Sequence, residues 1–338
     1  MSETESAGGA LFVVTAPGLE SVAAREIAAL GLRGAVEPGG VVVEGGDEEI
    51  ALLNLHLRSA SRVLRRIATF RARTFFELER HAARVPWDEV LSPGRPVRLN
   101  VTSRKSRLYH QRAIEERLLR AIDAPVAGSG GGGEIDADDG QGEDEQLFVV
   151  RFHRDRCVIS ADTSGVLLHR RGYRQALARA PLRETLAASM LLACGWNAKA
   201  PLLDPLCGSG TIPIEAALLA RRIPPALANP THTPRDFAFL HWPGTDRSHF
   251  DRLVAIAREG ILPRAPVSIA GADRDAGAIE ASRANAARAG VAEDIEFRVR
   301  PISAAAESEG GSWVVTNPPY GVRVGRPRPL RDLFAALG

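Results

Sequence analysis

Asn317-Pro318-Pro319-Tyr320 stand after the apolar run Trp313-Val314-Val315 and before Gly321. Two consecutive prolines remove two backbone donors and fix the local φ angles, so the carbonyls around them are stiff acceptors without ladder partners. With an Asn amide on one side and a Tyr ring on the other, such a loop can accept hydrogen bonds from an exocyclic amino group. The ring would then stack on the base that carries the amine. Asn and Pro are also ordinary turn residues, and the same tetrapeptide serves equally well as a rigid loop after an edge strand.

A second stretch shifts that balance. Asp204-Pro205-Leu206-Cys207-Gly208-Ser209-Gly210-Thr211 follows apolar Leu202-Leu203 and precedes an apolar run from Ile212 to Ala220. It reads as strand, glycine loop and helix, with a carboxylate at the strand end. Gly208 and Gly210 let the backbone approach a ligand, and the amides opening the helix are free donors. The third glycine of a dinucleotide fingerprint would fall at Pro213, which disfavours a pyrophosphate cofactor.

These residues need a sheet to hold them. Val267 to Asp273 is another short apolar run ending in an acid, followed by an Ala-rich helix from Asp275, its N-cap, to Ala289. Asp273 has the position of the acid that holds ribose hydroxyls in nucleoside-binding α/β folds, although a surface turn is the commoner place for an aspartate. All three sites fall just past the carboxyl ends of predicted parallel strands, where open α/β sheets bind ligands. The expected strands are 201–204, 267–273, 294–300 and 312–317, with a helix start at Leu330–Leu337.

A chain of 338 residues suggests about two domains. Its formal charge is only +2, so any basic surface must be local. Cys157, Cys194 and Cys207 lack metal-ligand spacing and form no disulfide set, and the eight histidines show no metal-like pairing. No segment is long and apolar enough to span a membrane, and Met1 to Ala10 is polar and acidic rather than a signal peptide. The expectation is a cytoplasmic protein without metal or membrane partner, its oligomeric state open.

Taken together, these motifs resemble the bacterial THUMP-domain RNA methyltransferases that use S-adenosylmethionine, in particular the large-subunit rRNA guanine-N2 enzymes and their tRNA relatives. The likeness runs from about Leu11 onward. Besides the two loops it includes Asp162-Thr163-Ser164-Gly165, His169-Arg170-Arg171-Gly172-Tyr173-Arg174, Ala180 to Ala188, Phe237-Ala238-Phe239 with Trp242-Pro243, and Ser106 to His110. The resemblance implies an α/β fold: a Rossmann-like class I methyltransferase domain over 170–338, preceded by an α+β ferredoxin-like unit (11–58) and a THUMP RNA-binding domain (59–165). It further implies that Asp204, Cys207, Gly208, Ser209, Gly210, Thr211 and Asp273 hold S-adenosylmethionine. Asn317, Pro318, Pro319 and Tyr320 would receive a guanine. The family has seven strands where four are counted here, so the sequence reads as truncated after the fourth.

In the front half, Val97 to Val101 reads as a strand leading to the basic loop Ser103-Arg104-Lys105-Ser106-Arg107, then a helix from about Tyr109 to Ile122. Clustered cations at a helix start oppose the dipole, a cost that an anionic partner would offset. A solvated basic turn is the alternative. The resemblance favours RNA contact by Arg104, Lys105, Arg107 and Tyr109. Residues 125–146 are Gly-rich and acidic and are expected to be a disordered insertion. A hairpin of Leu147–Val150 with Cys157–Ser160 should follow it.

The implied chemistry is methylation of the guanine N2 amine, a poor nucleophile because its lone pair is conjugated with the ring. Asn317 Oδ1 and the Pro318 carbonyl would accept its two N–H bonds and free the lone pair, Tyr320 would stack, and no metal is required. Cys207 reads as a small packed residue rather than a nucleophile. In the family the third strand usually ends in an acid for the adenine amine, whereas Pro301-Ile302-Ser303 stands here, leaving backbone or Ser303 for that contact. Large-subunit rRNA is the first expectation and tRNA the second. The alternatives are adenine-N6 methylation of DNA and a non-catalytic RNA-binding fragment.

Overall fold

The computed structural model describes residues 9–130, 144–175, 182–303 and 311–319. Two units divide the chain, Met1–Leu168 with Arg235–Leu253, and His169–Pro234 with Val254–Gly338.

In the first unit, the continuous apolar run Leu11 to Val14 produces β1 (Ala10–Thr15), buried on both faces, and a turn leads to helix α1 (Glu20–Ala29). Strands β2 (Gly34–Glu37) and β3 (Gly40–Glu44), helix α2 (Asp47–His56) and the twelve-residue strand β4 (Ala60–Arg71) follow. The unit continues with α3 (Phe75–Ala82), β5 (Val97–Arg104), α4 (Gln111–Ile122), β6 (Val126–Gly130) and the hairpin β7 (Gln146–His153) and β8 (Arg156–Asp162). Thr74 caps α3, its hydroxyl accepting from Glu77 N at 3.2 Å while the Glu77 carboxylate turns back to Thr74 N. One sheet runs through the unit in the order β2-β3-β1-β4-β8-β7-β5-β6. The joint between its ferredoxin-like front and the rest is the antiparallel pairing of β1 with β4, Phe12 opposite Leu64.

Two outcomes differ from expectation. Strand β2 was not foreseen; Gly34-Ala35-Val36-Glu37 is exposed throughout and carries no apolar alternation to betray it. The stretch 125–146, expected to be disordered, instead supplies β6, paired in parallel with β5 from Val97↔Val126 to Asn100↔Gly130. An edge strand can form through backbone hydrogen bonds alone, so Val126–Gly130 needs no alternating apolar pattern. Glu145 is also held, its carboxylate 2.7 Å from Arg98 Nε. Residues 131–143 lie outside the described residues.

The Asp162–Gly165 motif is a buried joint of this unit. Arg62, fully buried, donates to the Asp162 carboxylate and, at 2.7 Å, to Gly165 O. Asp162 also accepts from Ser164 N and Gly165 N, both at 3.0 Å. Asn54 of α2 completes the knot, donating to Thr163 Oγ1 at 2.8 Å and accepting from Ser164 Oγ at 2.6 Å. Residues 235–253 belong here too: Trp242 Nε1 donates to Gln146 Oε1 at 2.8 Å and Phe239 N to Thr163 O at 3.1 Å.

The second unit holds α5 (Glu184–Cys194), β9 (Leu202–Asp204), α6 (Thr211–Ala220), β10 (Ile269–Asp273), α8 (Ala276–Ala289), β11 (Ile295–Val299) and β12 (Trp313–Val314), and α7 (Arg247–Glu259) leads into it from the first. All pairings in its sheet are parallel, in the order β11-β10-β9-β12. Chain progression goes outward one way from β9 and then returns to its other side, so the order reverses between β9 and β12. Ligands of open α/β sheets bind at that reversal, outside the carboxyl ends. The four expected strands are all present, β12 shorter than 312–317. The expected helix at Leu330–Leu337 lies outside the described residues. Among the described residues no helix is long and apolar enough to cross a membrane.

Candidate active site

Asp204 ends β9 and is 1% exposed. Its Oδ1 accepts from Leu206 N at 3.1 Å. Burial pushes its carboxyl up to about 7; the nearby charge of Asp273 adds to the rise, while the Thr316 hydroxyl and the Leu206 amide pull against it. Thr316 Oγ1 is itself buried without a hydrogen bond of ordinary geometry. Asp273 ends β10 and fastens the glycine loop, Oδ2 accepting from Gly208 N at 3.1 Å and Oδ1 from Asp275 N at 2.9 Å. Cys207 N donates to Ala272 O at 2.9 Å, tying the loop to the same strand.

Two glycines of the loop are forced by conformation. Gly208 has φ +55° and Gly210, the N-cap of α6, φ +83°, the left-handed region that side chains disfavour. A side chain at Gly208 would meet nothing within 4 Å, so the loop opens there onto free space. Gly271 of β10 is required for another reason: a Cβ would sit 2.8 Å from the Phe297 ring and 3.2 Å from Cys207 Sγ. Cys207 is thus packed between strand and loop. Its thiol is pushed well up, by burial first and by the Asp204 charge second, so it stays protonated and unreactive. Ser209 and Thr211 are buried beside it, Thr211 opening α6.

Asp275 caps α8 as expected, accepting from Gly277 N at 2.8 Å. That helix contributes two residues that sequence reasoning missed. Ser282 Oγ donates to Gly208 O at 2.8 Å and Asn285 Nδ2 to Ser209 O at 3.0 Å, so the loop carbonyls are held from behind. Both are fully buried. Their signal in the sequence is slight: two polar residues three apart on one face of an Ala-rich helix. Arg288, one turn on, donates to Tyr173 O at 2.8 Å and to Asn285 Oδ1. Tyr173 in turn donates its hydroxyl to Glu215 of α6 at 2.9 Å.

The second loop leaves β12. Register sets Val314 beside Leu203, and Val315 N donates to Leu203 O at 3.1 Å, so the chain passes alongside Asp204 before reaching Asn317. Asn317, Pro318 and Pro319 are half-buried. Tyr320 lies outside the described residues. The structure therefore gathers Asp204, the residues 207–211, Asp273 and Asn317–Pro319 at the carboxyl edge of one parallel sheet, on either side of its reversal. Pro301 and Ser303 follow β11 at the same edge.

Arg104, Lys105, Arg107 and Tyr109 belong to the first unit and are exposed, Tyr109 at 67%. Their loop is braced from the β7–β8 turn: Arg107 N donates to Asp155 Oδ1 at 2.8 Å and Asp155 N to Ser106 Oγ at 3.0 Å. The rings of Tyr109 and His110 lie 4.2 Å apart. Helix α4 opens at His110 without a side-chain cap and with no acid in its first turn.

Two family profiles match the chain, an RMKL-like methyltransferase domain over residues 171–338 and an RlmL ferredoxin-like domain over 10–64. A candidate RNA methyltransferase of Synechocystis sp. is 32% identical over 330 residues, covering 97% of this chain and 83% of the relative. The ribosomal RNA large subunit methyltransferase K/L of Syntrophotalea carbinolica is 36% identical over 348 residues, 97% of this chain but 46% of its own length. This chain spans just under half of that relative. Among solved structures, SMU.472, a candidate methyltransferase complexed with SAH, superposes with a TM-score of 0.84 at 29% identity, covering 97% of this chain and 85% of its own. A protein of Listeria monocytogenes described as a predicted N6-adenine-specific DNA methylase gives 0.83 at 32% identity, covering 97% and 84%. The glycine loop, the acid after β10 and the Asn-Pro-Pro loop thus sit on a methyltransferase fold, and the chain belongs to the RMKL-like methyltransferase family, with an RlmL-type ferredoxin-like unit in front.

Proposed function

We propose that this chain transfers a methyl group from S-adenosylmethionine to the exocyclic N2 amine of a guanosine in RNA, large-subunit ribosomal RNA before tRNA, in the cytoplasm. The observation that carries this reading is the placement of Asn317-Pro318-Pro319 beside β9, across the sheet's reversal from the glycine loop.

The residues present fit the donor. Gly208 opens onto free space, Asp204 is a buried carboxyl without an ion-pair partner among the described residues, and Asp273 stands at the neighbouring strand end. Bound there, S-adenosylmethionine supplies a methyl group on positively charged sulfur. Asp204, once ionised, balances positive charge on the donor, and Asp273 accepts from ribose hydroxyls. Ser282 and Asn285 keep the loop in its bound path before the donor arrives, which lowers the ordering cost of binding. Asn317 Oδ1 and the Pro318 carbonyl accept hydrogen bonds from the two amine N–H groups and turn the nitrogen lone pair out of conjugation. Orientation of this kind supplies up to about 7–11 kcal/mol in well-aligned reactions. Tyr320 stacks on the base, which must leave any helix to enter. The proton released by the methylated amine passes to water.

In the first unit, the segment 59–165 is the RNA-binding module of THUMP type, and Arg104, Lys105, Arg107 and Tyr109 are its phosphate and stacking contacts. A second reading, adenine-N6 methylation of DNA, draws on the same loop, because Asn-Pro-Pro-Tyr suits any exocyclic amine; the description of the Listeria protein agrees with it. Mass spectrometry of nucleosides from a deletion strain separates the two. Loss of one N2-methylguanosine from rRNA or tRNA is expected. An unchanged RNA inventory together with lost N6-methyladenine in DNA would transfer the assignment to the second reading.

A further inference from the structure

The eight-stranded sheet of the first unit treats its two faces differently. On one, Val13, Phe148, Val150, Phe152, Cys157 and Ile159 are at most 2% exposed. On the other, register sets Arg104 beside His153, His153 beside Arg156, and Arg151 beside Val158. Paired residues of adjacent strands point to the same side, so Arg104, Arg151, His153 and Arg156 share a face. Arg66, opposite Ser160, joins them from β4. Where that face continues to Val14, Arg62 and Asp162 it is buried, whereas the end carrying the arginines is open.

Between those arginines lies a hollow of about 230 Å³, floored by Phe12, Leu64, Val149 and Val158. The guanidinium carbons of Arg66 and Arg151 sit 5.1 and 5.4 Å from the centre of the Phe12 ring. Stacking on an aromatic face restrains a planar group that would otherwise pay rotamer entropy on binding. Glu37 pairs with Arg66 at 2.9 Å across the edge and is half-exposed, a carboxylate in the place an incoming oxyanion would take. With a whole-chain charge of only +2, this concentration of arginine is local. It also adjoins the basic loop, since Arg104 is both the last residue of β5 and the first cation of that loop.

We infer that this open end of the sheet face is a second backbone-binding surface for RNA, continuous with the loop 104–107, where phosphates engage Arg66, Arg151 and Arg156. The inference rests on the RNA reading above and adds where the strand lies. Planar guanidinium groups recognise phosphate in bidentate fashion without regard to sequence, so the surface sets affinity and path rather than the choice of base.

The test uses the full chain with Arg151→Gln and Arg156→Gln combined, both at positions not needed for the buried face. Binding is measured against in vitro transcribed large-subunit rRNA over a series of salt concentrations. Affinity should fall at least tenfold, and the slope of log affinity against log salt should shrink by roughly 1.5, as expected for two lost phosphate contacts. S-adenosylmethionine affinity by calorimetry should not change. Arg151→Lys with Arg156→Lys should restore the slope. Unchanged RNA affinity and slope in the Gln variant, with loss in Arg104→Gln/Arg107→Gln, would overturn the surface while leaving the RNA reading intact. Poly-glutamate displacing the RNA as well as an RNA of equal charge would assign the face to an acidic protein and also overturn it. A wild-type chain that binds S-adenosylmethionine but no RNA would sink the RNA reading itself.

Discussion

Among the aspartates that end strands in this protein, Asp162 of the first unit and Asp204 of the second stand in contrasting surroundings. Asp162 closes β8, is fully buried, and meets the guanidinium of Arg62 together with the amides of Ser164 and Gly165. Asp204 closes β9, is 1% exposed, and has one backbone donor at 3.1 Å and no cation paired with it among the described residues. A buried carboxylate is costly unless paired. The first unit meets that cost internally, and the charge pair becomes part of the joint between strand and following turn. The second leaves it without a paired cation among the described residues, so burial pushes the carboxyl up to about 7.

Cutting the closed pair should give the larger effect. Arg62→Met leaves Asp162 buried with its charge uncompensated, and removing one member of a buried pair costs about 3–5 kcal/mol. Thermal unfolding should therefore move down by many degrees. Arg62→Met combined with Asp162→Leu should recover much of the loss, because paired apolar replacements avoid the stranded charge. A mild shift in the single variant would mean that the Ser164 and Gly165 amides suffice, and the contrast with Asp204 would lose its basis.

Next in size is Asn317→Ala. If the amide orients the amine and nothing else, kcat should drop by about 10²–10³, the range for losing one oriented hydrogen-bonding group in a reacting site. S-adenosylmethionine affinity should stay within about twofold. An equal loss of donor affinity would place Asn317 with Asp204 in the donor site instead of opposite it.

The sequence spells these two carboxylates alike, each an acid at the end of an apolar stretch with a glycine three or four residues on, and both fall in motifs that carry the family resemblance. What makes one structural is Arg62, a hundred positions away, which no local pattern reveals. The same holds elsewhere. The glycine loop, Asp273 and Asn317–Pro319 were legible because each is a short continuous stretch at a strand end. Ser282 and Asn285 act on the loop from 74 and 76 residues downstream and were not seen. The arginines of the open sheet face come singly from β4, β7 and β8, and only strand register assembles them. Strand β6 was missed for the opposite reason, since backbone pairing with β5 leaves no mark on side-chain composition.

The smallest effect probes the open carboxylate directly. Asp204 holds its proton in the fold up to about pH 7 but releases it near 4 when unfolded. A raised carboxyl pKa stabilises the fold fully below the unfolded value and ceases to do so as pH rises through the folded one. Stability of the free protein should therefore decline between about pH 4 and pH 7 by this group's share. Binding of a cationic donor runs the other way, because only the ionised carboxylate attracts it. Calorimetric affinity for S-adenosylmethionine should rise roughly tenfold from pH 6 to pH 8, as follows for one group that must lose a proton with a midpoint near 7. Asp204→Asn should bind more weakly at pH 8 and show a flat profile. If the wild-type profile is flat as well, Asp204 is already neutralised by a partner in the fold, and it belongs with Asp162 as a structural acid rather than apart from it.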